Sequence, residues 1–418
     1  MGSTETMIAH ESHSKDQAPA CEIMLRNSEA SRLGGSTPQK LIHEVVVKYK
    51  ASVPREEPHQ ANASSHEEDV PSPADKAYGE NGTVRQQMVY LPDMFVSFCS
   101  IPPAMNKHYD QIKIDSDTFI RAVFGFNERE SKVHIMGDFP YLGAILVPDA
   151  GPDEFRNVCD WLNWAFDFDD PFDEGELRDR PEEAKKLVDN LLATMEATSM
   201  EGVVVSENIL VEVFRSVWLR LARDSSKETQ RRFRGSMTDY CNGLVQQTEA
   251  CIDPNNFDLN GYLATRCQTI AAYPLYAMVE YCYGIAISDE VIACKSIQTI
   301  QRLSTELTVL QNDVLSYHKE KRLGFEHNLI SIYIRQGKTQ TEAYDCVDQL
   351  MKDRYRDWYI ALAELPMWGE DVDKQVQVYI QGCRNMVVAN LNWSFKTERY
   401  FGREHWNVRR TRIVPFME

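Results

Sequence analysis

An all-α fold is predicted for residues 86–418, and three observations carry that prediction. From Tyr90 onward, apolar residues recur at steps of three and four over long segments, the period of a helix that buries one face. Pro, Gly and Asp or Asn clusters interrupt those segments where helices would stop. Strand-like runs such as Ile145-Leu146-Val147 and Val203-Val204-Val205 are too few to build a sheet.

Taken in chain order, residues 1–85 come first and differ in texture. They are rich in Ser, Glu, His, Pro and Gly, and the first Phe of the chain is Phe95. Such a segment buries too little apolar surface to offset its ordering entropy, so it is predicted to be disordered. Within it Leu41-Ile42-His43-Glu44-Val45-Val46-Val47 stands out as a transient helix or strand. Helices are then predicted around Phe155 to Phe168, from Pro181 to Met195, in one long piece from Glu207 to Gln247, and from Ile292 through Lys319. No internal repeat of roughly 20 to 50 residues is visible, so 86–418 reads as one domain.

Composition narrows the function. With 43 % apolar and 10 % aromatic residues, the 418-residue chain can bury a large core. A formal net charge of −18 argues against nucleic acid and against anionic membrane surfaces as partners, and suits a protein that concentrates metal cations. Ten cysteines at scattered spacings, without a CxxC pair, form neither a zinc pattern nor a disulfide framework. Cys159, Cys282 and Cys383 lie in apolar helical contexts, where a thiol is a small buried hydrophobe, and a reducing, cytoplasmic location is expected. No signal sequence is read at Met1 and no stretch reaches about 18 apolar residues, so no membrane span is expected. The sequons Asn62-Ala63-Ser64 and Asn81-Gly82-Thr83 are accordingly expected to stay unmodified.

Two stretches carry chemistry. Asp169-Asp170-Pro171-Phe172-Asp173-Glu174 follows an apolar helical run through Trp161, Leu162, Trp164, Ala165 and Phe168. On a helix Asp169 and Asp173 share a face, with Asp170 and Glu174 beside them. Four carboxylates this close repel one another unless a cation or bulk water separates them, and no basic residue lies between Trp161 and Leu177. A solvated acidic helix end is the plainer alternative for this run taken alone. In the second stretch, Asn312 to Glu320, a helix lines up Asn312, Ser316 and Glu320 at i, i+4 and i+8. An amide oxygen, a hydroxyl and a carboxylate are hard ligands of the kind Mg²⁺ takes, and three of them leave positions for water and phosphate. Lys319 beside them is a compact cation able to reach the same phosphate. Two such clusters in one helical chain point to divalent metal.

These residues resemble the motifs of class I terpene synthases, more narrowly the fungal sesquiterpene cyclases of the presilphiperfolanol-synthase type. Asp169-Asp170-x-x-Asp173 with Glu174 is similar to the aspartate-rich motif, and N-D-x-x-S-x-x-K-E is matched at every fixed position from Asn312 to Glu320. Arg266, 46 residues before Asn312, stands where the family places its diphosphate-sensing arginine, and Arg399-Tyr400 matches the Arg-Tyr pair near the family's C-terminus. The resemblance covers roughly residues 88 to 418. It implies a single α-helical bundle around a deep apolar pocket, acting on a small-molecule prenyl diphosphate as a monomer or homodimer. Mg²⁺, as three ions, would be held by Asp169, Asp170 and Asp173 on one wall and by Asn312, Ser316 and Glu320 on the other. Arg266, Lys319, Arg399 and Tyr400 would donate to the diphosphate, and Thr269 and Ile270 would be the linker and effector of the trigger. Ile270 stands where relatives often carry Gly, and a β-branched residue takes positive φ reluctantly.

The implied reaction ionises farnesyl diphosphate and folds the allylic cation away from water, with shape and aromatic faces doing the steering. Phe95, Trp161, Phe166 and Trp393 are the aromatic candidates. Geranyl and geranylgeranyl diphosphate remain alternative substrates. Asp167-Phe168-Asp169-Asp170 also matches D-x-D-D, the general-acid motif of class II cyclases, which belong to a larger architecture without the Asn312 to Glu320 motif. A chain-elongating prenyltransferase is a further alternative, but its second aspartate-rich motif is missing. A non-catalytic helical metal-binding protein leaves the Arg266 spacing and the Arg399-Tyr400 pair unexplained.

Overall fold

The computed structural model describes residues 88–417, apart from 174, 176, 179, 200–205, 250–256 and 326 and the side chains of 173, 248 and 249. The segment 1–85 with its 41–47 stretch and two sequons, the run 203–205, Glu174 and the Asp173 side chain therefore lie outside the described residues. A short strand, β1 (Met88–Tyr90), precedes α1 (Tyr109–Phe124), α2 (Glu128–Gly137), α3 (Phe139–Leu146) and α4 (Pro152–Asp173). Next come α5 (Pro181–Ala193), α6 (Ile209–Asp224), α7 (Lys227–Glu249), α8 (Leu259–Thr269) and α9 (Ala272–Tyr283). The single turn α10 (Asp289–Ile292) leads into α11 (Lys295–Arg322), α12 (Leu329–Arg335), α13 (Gln340–Ala363) and α14 (Glu370–Lys396). α15 (Glu398–Phe401), α16 (His405–Thr411) and β2 (Ile413–Pro415) complete the series.

The all-α expectation holds. Among the described residues β1 and β2 are the strands, and they form one antiparallel ribbon with Val89 opposite Val414. The strand-like Ile145-Leu146 falls inside α3, where Phe139, Leu142, Ile145 and Leu146 are all buried. A helix apolar on every side is a core helix, and its sequence cannot be told from a short buried strand by periodicity. The single long helix expected from Glu207 to Gln247 is instead two, α6 and α7. At the junction Ser225 is extended (φ −118°, ψ 163°), and the Ser226 hydroxyl accepts from the Thr229 N–H at 3.1 Å. A serine N-cap restarts the helix without Gly or Pro to announce it.

α11 is the axis of the bundle and packs against α13 on one side and α14 on the other. From Leu303 to His318 every residue except Asn312 is buried. α14 packs on α3, α3 on α4, and α4 on α1 and α6, while α9 rests on α7. Helix starts are fixed locally: Asn127 and Thr339 form capping boxes with Glu130 and Glu342, and the Asn328 and Asp258 side chains accept from the first N–H groups of α12 and α8.

α4 is anchored well before its acidic end. Asp160, fully buried, accepts from Arg156 Nε (2.7 Å), Arg220 Nη1 (2.9 Å) and Ser116 Oγ (2.7 Å). Burial would raise its pKa, but the two guanidinium groups prevail and hold it below the usual carboxylate value. Trp164 Nε1 also donates to the Leu210 carbonyl at 2.9 Å, pinning α4 to the start of α6.

Candidate active site

Where α4, α8, α9, α11 and α14 converge they line a cavity of about 120 Å³. Its inner surface is apolar, with Leu142, Leu162, Ala165, Leu275, Met386 and the rings of Trp161, Phe166 and Trp393. Its mouth is polar and carries Asp169, Arg266, Asn312, Ser316, Lys319, Glu320, Arg399 and Tyr400. The two stretches singled out in the sequence thus face one space.

On the α11 wall, Asn312, Ser316 and Glu320 stand one turn apart and are tied together at the site. Ser316 Oγ donates to the Asn312 main-chain carbonyl (2.7 Å), and Asn328 Nδ2 donates to Glu320 Oε2 (2.8 Å) and to the Asp313 carbonyl (2.8 Å). Both ends of the Asn312 amide are used: Oδ1 accepts from Arg266 Nη2 at 3.0 Å, and Nδ2 donates to Tyr400 Oη at 3.2 Å. The 46-residue spacing read from the sequence is therefore a direct contact. Asp313, fully buried behind Asn312, accepts from Tyr262 Oη (2.6 Å), from the Leu329 N–H (3.1 Å) and from Arg266 Nη2 (3.4 Å). Burial pushes the Glu320 carboxyl up to about 7, Asp313 adds to the rise, and Arg266 with the Asn328 and Ser316 hydrogen bonds opposes it.

The opposite wall is the last turn of α4, which continues through Pro171 to Asp173. Asp169 lines the cavity and accepts from Tyr240 Oη at 3.1 Å. Asp170 accepts from Arg399 Nη2 at 2.8 Å. Arg399 and Tyr400 are neighbours on α15, so this pair joins the walls, Arg399 to α4 and Tyr400 to α11. Burial pushes the Tyr400 phenol up to about 12, which keeps its proton in place across the physiological range.

Between α8 and α9 the helix breaks. Arg266 Nη1 donates to Thr269 Oγ1 at 3.2 Å, α8 ends there, and Ile270 and Ala271 line the cavity. The expectation of strain at Ile270 is corrected: Ile270 has φ −76° and ψ 0°, comfortable for a β-branched side chain, and the left-handed residue is Ala271 with φ 58°. The absence of Gly at 270 costs nothing in this geometry.

Phe166 and Trp393 face the cavity and each other, with ring centroids 5.0 Å apart. Phe139 stacks behind Phe166 at 4.0 Å, and Trp393 Nε1 donates to the Gly137 carbonyl at 2.8 Å, so both rings are held from behind. Phe95 is a correction: it does not line the cavity but packs on Phe395 (5.6 Å) beneath the Arg409 guanidinium (4.7 Å). Asp167 does not line it either. Its carboxyl lies 3.9 Å from His134 Nδ1 and is pushed up to about 8, first by burial and then by Asp170, so of the D-x-D-D match Asp167 stays out of the cavity while Asp169 lines it as part of the α4 wall.

A divalent cation suits the donor set present. Among the described residues no three His, Cys, Asp or Glu side chains converge, because the α11 wall offers an amide and a hydroxyl beside a single carboxylate. Hard oxygens with a carboxyl raised by burial and by Asp313 make a site where added positive charge is favourable. Four contributors went unread in the sequence. Asp313 is the D of the N-D-x-x-S-x-x-K-E match but carried no assigned role, Asn328 was legible as a helix cap, and nothing local marked Tyr240 or Tyr262.

A helical bundle with two oxygen-ligand walls, cationic donors and an apolar chamber defines a metal-dependent enzyme acting on an anionic, largely apolar substrate. Comparison with known proteins gives the family. Residues 160–357 match the family model for terpene synthase family 2, C-terminal metal binding. The chain is 41 % identical over 340 residues to silphinene synthase of Penicillium patulum, covering 80 % of this chain and 91 % of that protein. It is 33 % identical to (+)-eremophilene synthase of Gibberella fujikuroi, covering 81 % and 95 %. The α-eudesmol synthase crystal structure superposes with a TM-score of 0.63 at 17 % identity, covering 70 % of this chain and 96 % of that one, a likeness of fold. The chain belongs to the terpene synthase family.

Proposed function

We propose that the protein is a Mg²⁺-dependent sesquiterpene synthase that ionises farnesyl diphosphate, cyclises the cation and releases diphosphate. The Arg399-Tyr400 pair carries this reading, because it bridges both ligand walls directly above an aromatic, apolar chamber. Asp169, Asp170 and Asp173 on α4 and Asn312, Ser316 and Glu320 on α11 are assigned as ligands of three Mg²⁺. Bound there, the ions would supply Lewis-acid neutralisation of the leaving diphosphate.

The chain's own donors complete the anion site. Arg266, Lys319, Arg399 and Tyr400 point N–H and O–H groups at the mouth, where a fork of guanidinium donors matches phosphate oxygens. Arg266 reaches Asn312 and Thr269 at once, so a shift of the sensor toward diphosphate is felt at the Thr269-Ile270 break. Below the mouth, Phe166, Trp161 and Trp393 present ring faces and exclude water while the cation is rearranged. A cytoplasmic site of action is supported by the eight unpaired cysteines among the described residues, and no described helix is long and apolar enough to cross a membrane.

Incubation of the purified protein with farnesyl diphosphate, with and without Mg²⁺, followed by gas chromatography and mass spectrometry, tests the reading. A cyclic C15 product that requires Mg²⁺ is expected. Absence of diphosphate release from farnesyl, geranyl and geranylgeranyl diphosphates alike overturns it.

A further inference from the structure

Most of the chamber's polar groups cluster at its mouth, but Thr308 and Asn390 lie deeper. Asn390 of α14 lines the cavity beside Met386 and Trp393 and is buried. Its neighbour across the interface is Thr308, four residues before Asn312 on α11, so Asn390 sits about 6 Å deeper than the metal-type ligands at 1.5 Å per residue.

The orientation of this amide is fixed by acceptors behind it. Asn390 Nδ2 lies 3.1 Å from Gln311 Oε1 and 3.5 Å from the Thr308 main-chain carbonyl. A main-chain carbonyl only accepts, so the NH₂ must face that side. Gln311 is oriented in turn, since its Nε2 donates to Cys99 Sγ at 3.9 Å. The Asn390 Oδ1 atom has no hydrogen-bond donor among the described residues, and it is not among the sealed-off buried polar atoms. It is therefore left to the cavity. Thr308 offers no equivalent, because its hydroxyl donates to the Ser304 carbonyl at 2.9 Å.

We infer that Asn390 is a specificity-determining residue of the cyclisation chamber, its fixed side-chain oxygen stabilising positive charge near the chamber floor and so selecting among product cations. This rests on the proposed cyclase activity. A preorganised dipole in an apolar, water-poor space acts on a cation far more strongly than the same amide in water, and needs no reorganisation to do so. It lies away from the departing diphosphate, so its effect falls on the fate of the cation and not on its formation.

The test compares Asn390→Leu, which keeps the bulk and removes the dipole, and Asn390→Ser, which keeps a polar atom too short to reach the same point. Each full-length variant is checked by thermal melting, then assayed with farnesyl diphosphate and Mg²⁺ for diphosphate release and for the product ratio. Should Asn390→Leu fail to fold, the smaller Asn390→Ser carries the comparison. Diphosphate release within about threefold of the unsubstituted protein, with at least about a fivefold shift in the ratio of the two main products, is expected. Normal release with unchanged ratios from a folded variant overturns this inference alone, as does loss of release from one. Absence of release by the unsubstituted protein overturns the cyclase reading and this inference together.

Discussion

The α11 wall and the α4 wall hold their oxygens by different means. On α11, Ser316 is buried, Asn312 is gripped at both ends of its amide, and Asn328 spans Glu320 and the Asp313 carbonyl. On α4, the Asp170 side chain is 45 % exposed and reached by Arg399 from another helix, while the rigid anchor is Asp160, ten residues and about 15 Å back along the helix. One wall is fixed at the site and the other is fixed behind it. The lesson is that damage beside α11 should appear as lost turnover, and damage to the α4 anchor as lost stability.

The most severe break in that contrast is Asn312→Ala with Ser316→Ala, which removes two ligand oxygens from the fixed wall. Product should fall below detection while the melting temperature stays within about 5 °C of the parent. Turnover in the double variant would show that α11 does not hold the metal.

Asp160→Asn probes the other half. It leaves Arg156 and Arg220 as inadequately paired buried charges and should cost about 3–5 kcal/mol in denaturant unfolding. In the parent, the Asp160 contribution is complete above its ordinary value of 3.8 and is lost as the pH falls through its lower folded value, because the unfolded chain takes up the proton first. The variant should therefore show a shallower loss of stability below about pH 4. An identical acid limb in both proteins would remove Asp160 as the anchor.

Arg266→Ala should lower kcat by about 10²- to 10³-fold, the scale for a lost donor to a developing anion. Normal turnover with only a changed product mixture would refute its role at the diphosphate. The smallest effect is expected from Asn328→Ala, which touches a ligand without being one: Mg²⁺ affinity should weaken about 10- to 100-fold, read as a rise in the Mg²⁺ concentration for half-maximal rate. If that concentration is unchanged, the fixed wall does not depend on Asn328.

How far the sequence reveals this arrangement depends on how local each feature is. The helical class, the Asn312-Ser316-Glu320 face and the Arg266 position are legible because helix geometry maps spacing onto place. The division at Ser225-Ser226 is not, since a serine cap carries no strong breaker signal. Phe95 and Phe166 look alike as aromatic residues near an apolar run, and only tertiary packing sends one to Phe395 and the other to the chamber. Tyr240 reaches Asp169 from 71 positions away, a contact decided by how α7 docks on α4. Ile270 and Ala271 differ by one step, and which of them takes the positive φ follows from how α9 restarts, not from residue type.

The β1–β2 ribbon joins Met88–Tyr90 to Ile413–Pro415, and β2 is fastened further to α11, with His318 Nε2 2.8 Å from the Pro415 carbonyl. During synthesis on the ribosome, β1 must therefore wait for nearly all of the remaining chain before its partner strand emerges. The Arg399-Tyr400 bridge also arrives after every helix that carries a ligand wall. The bridge over the chamber is thus made by residues translated after both of the walls it joins.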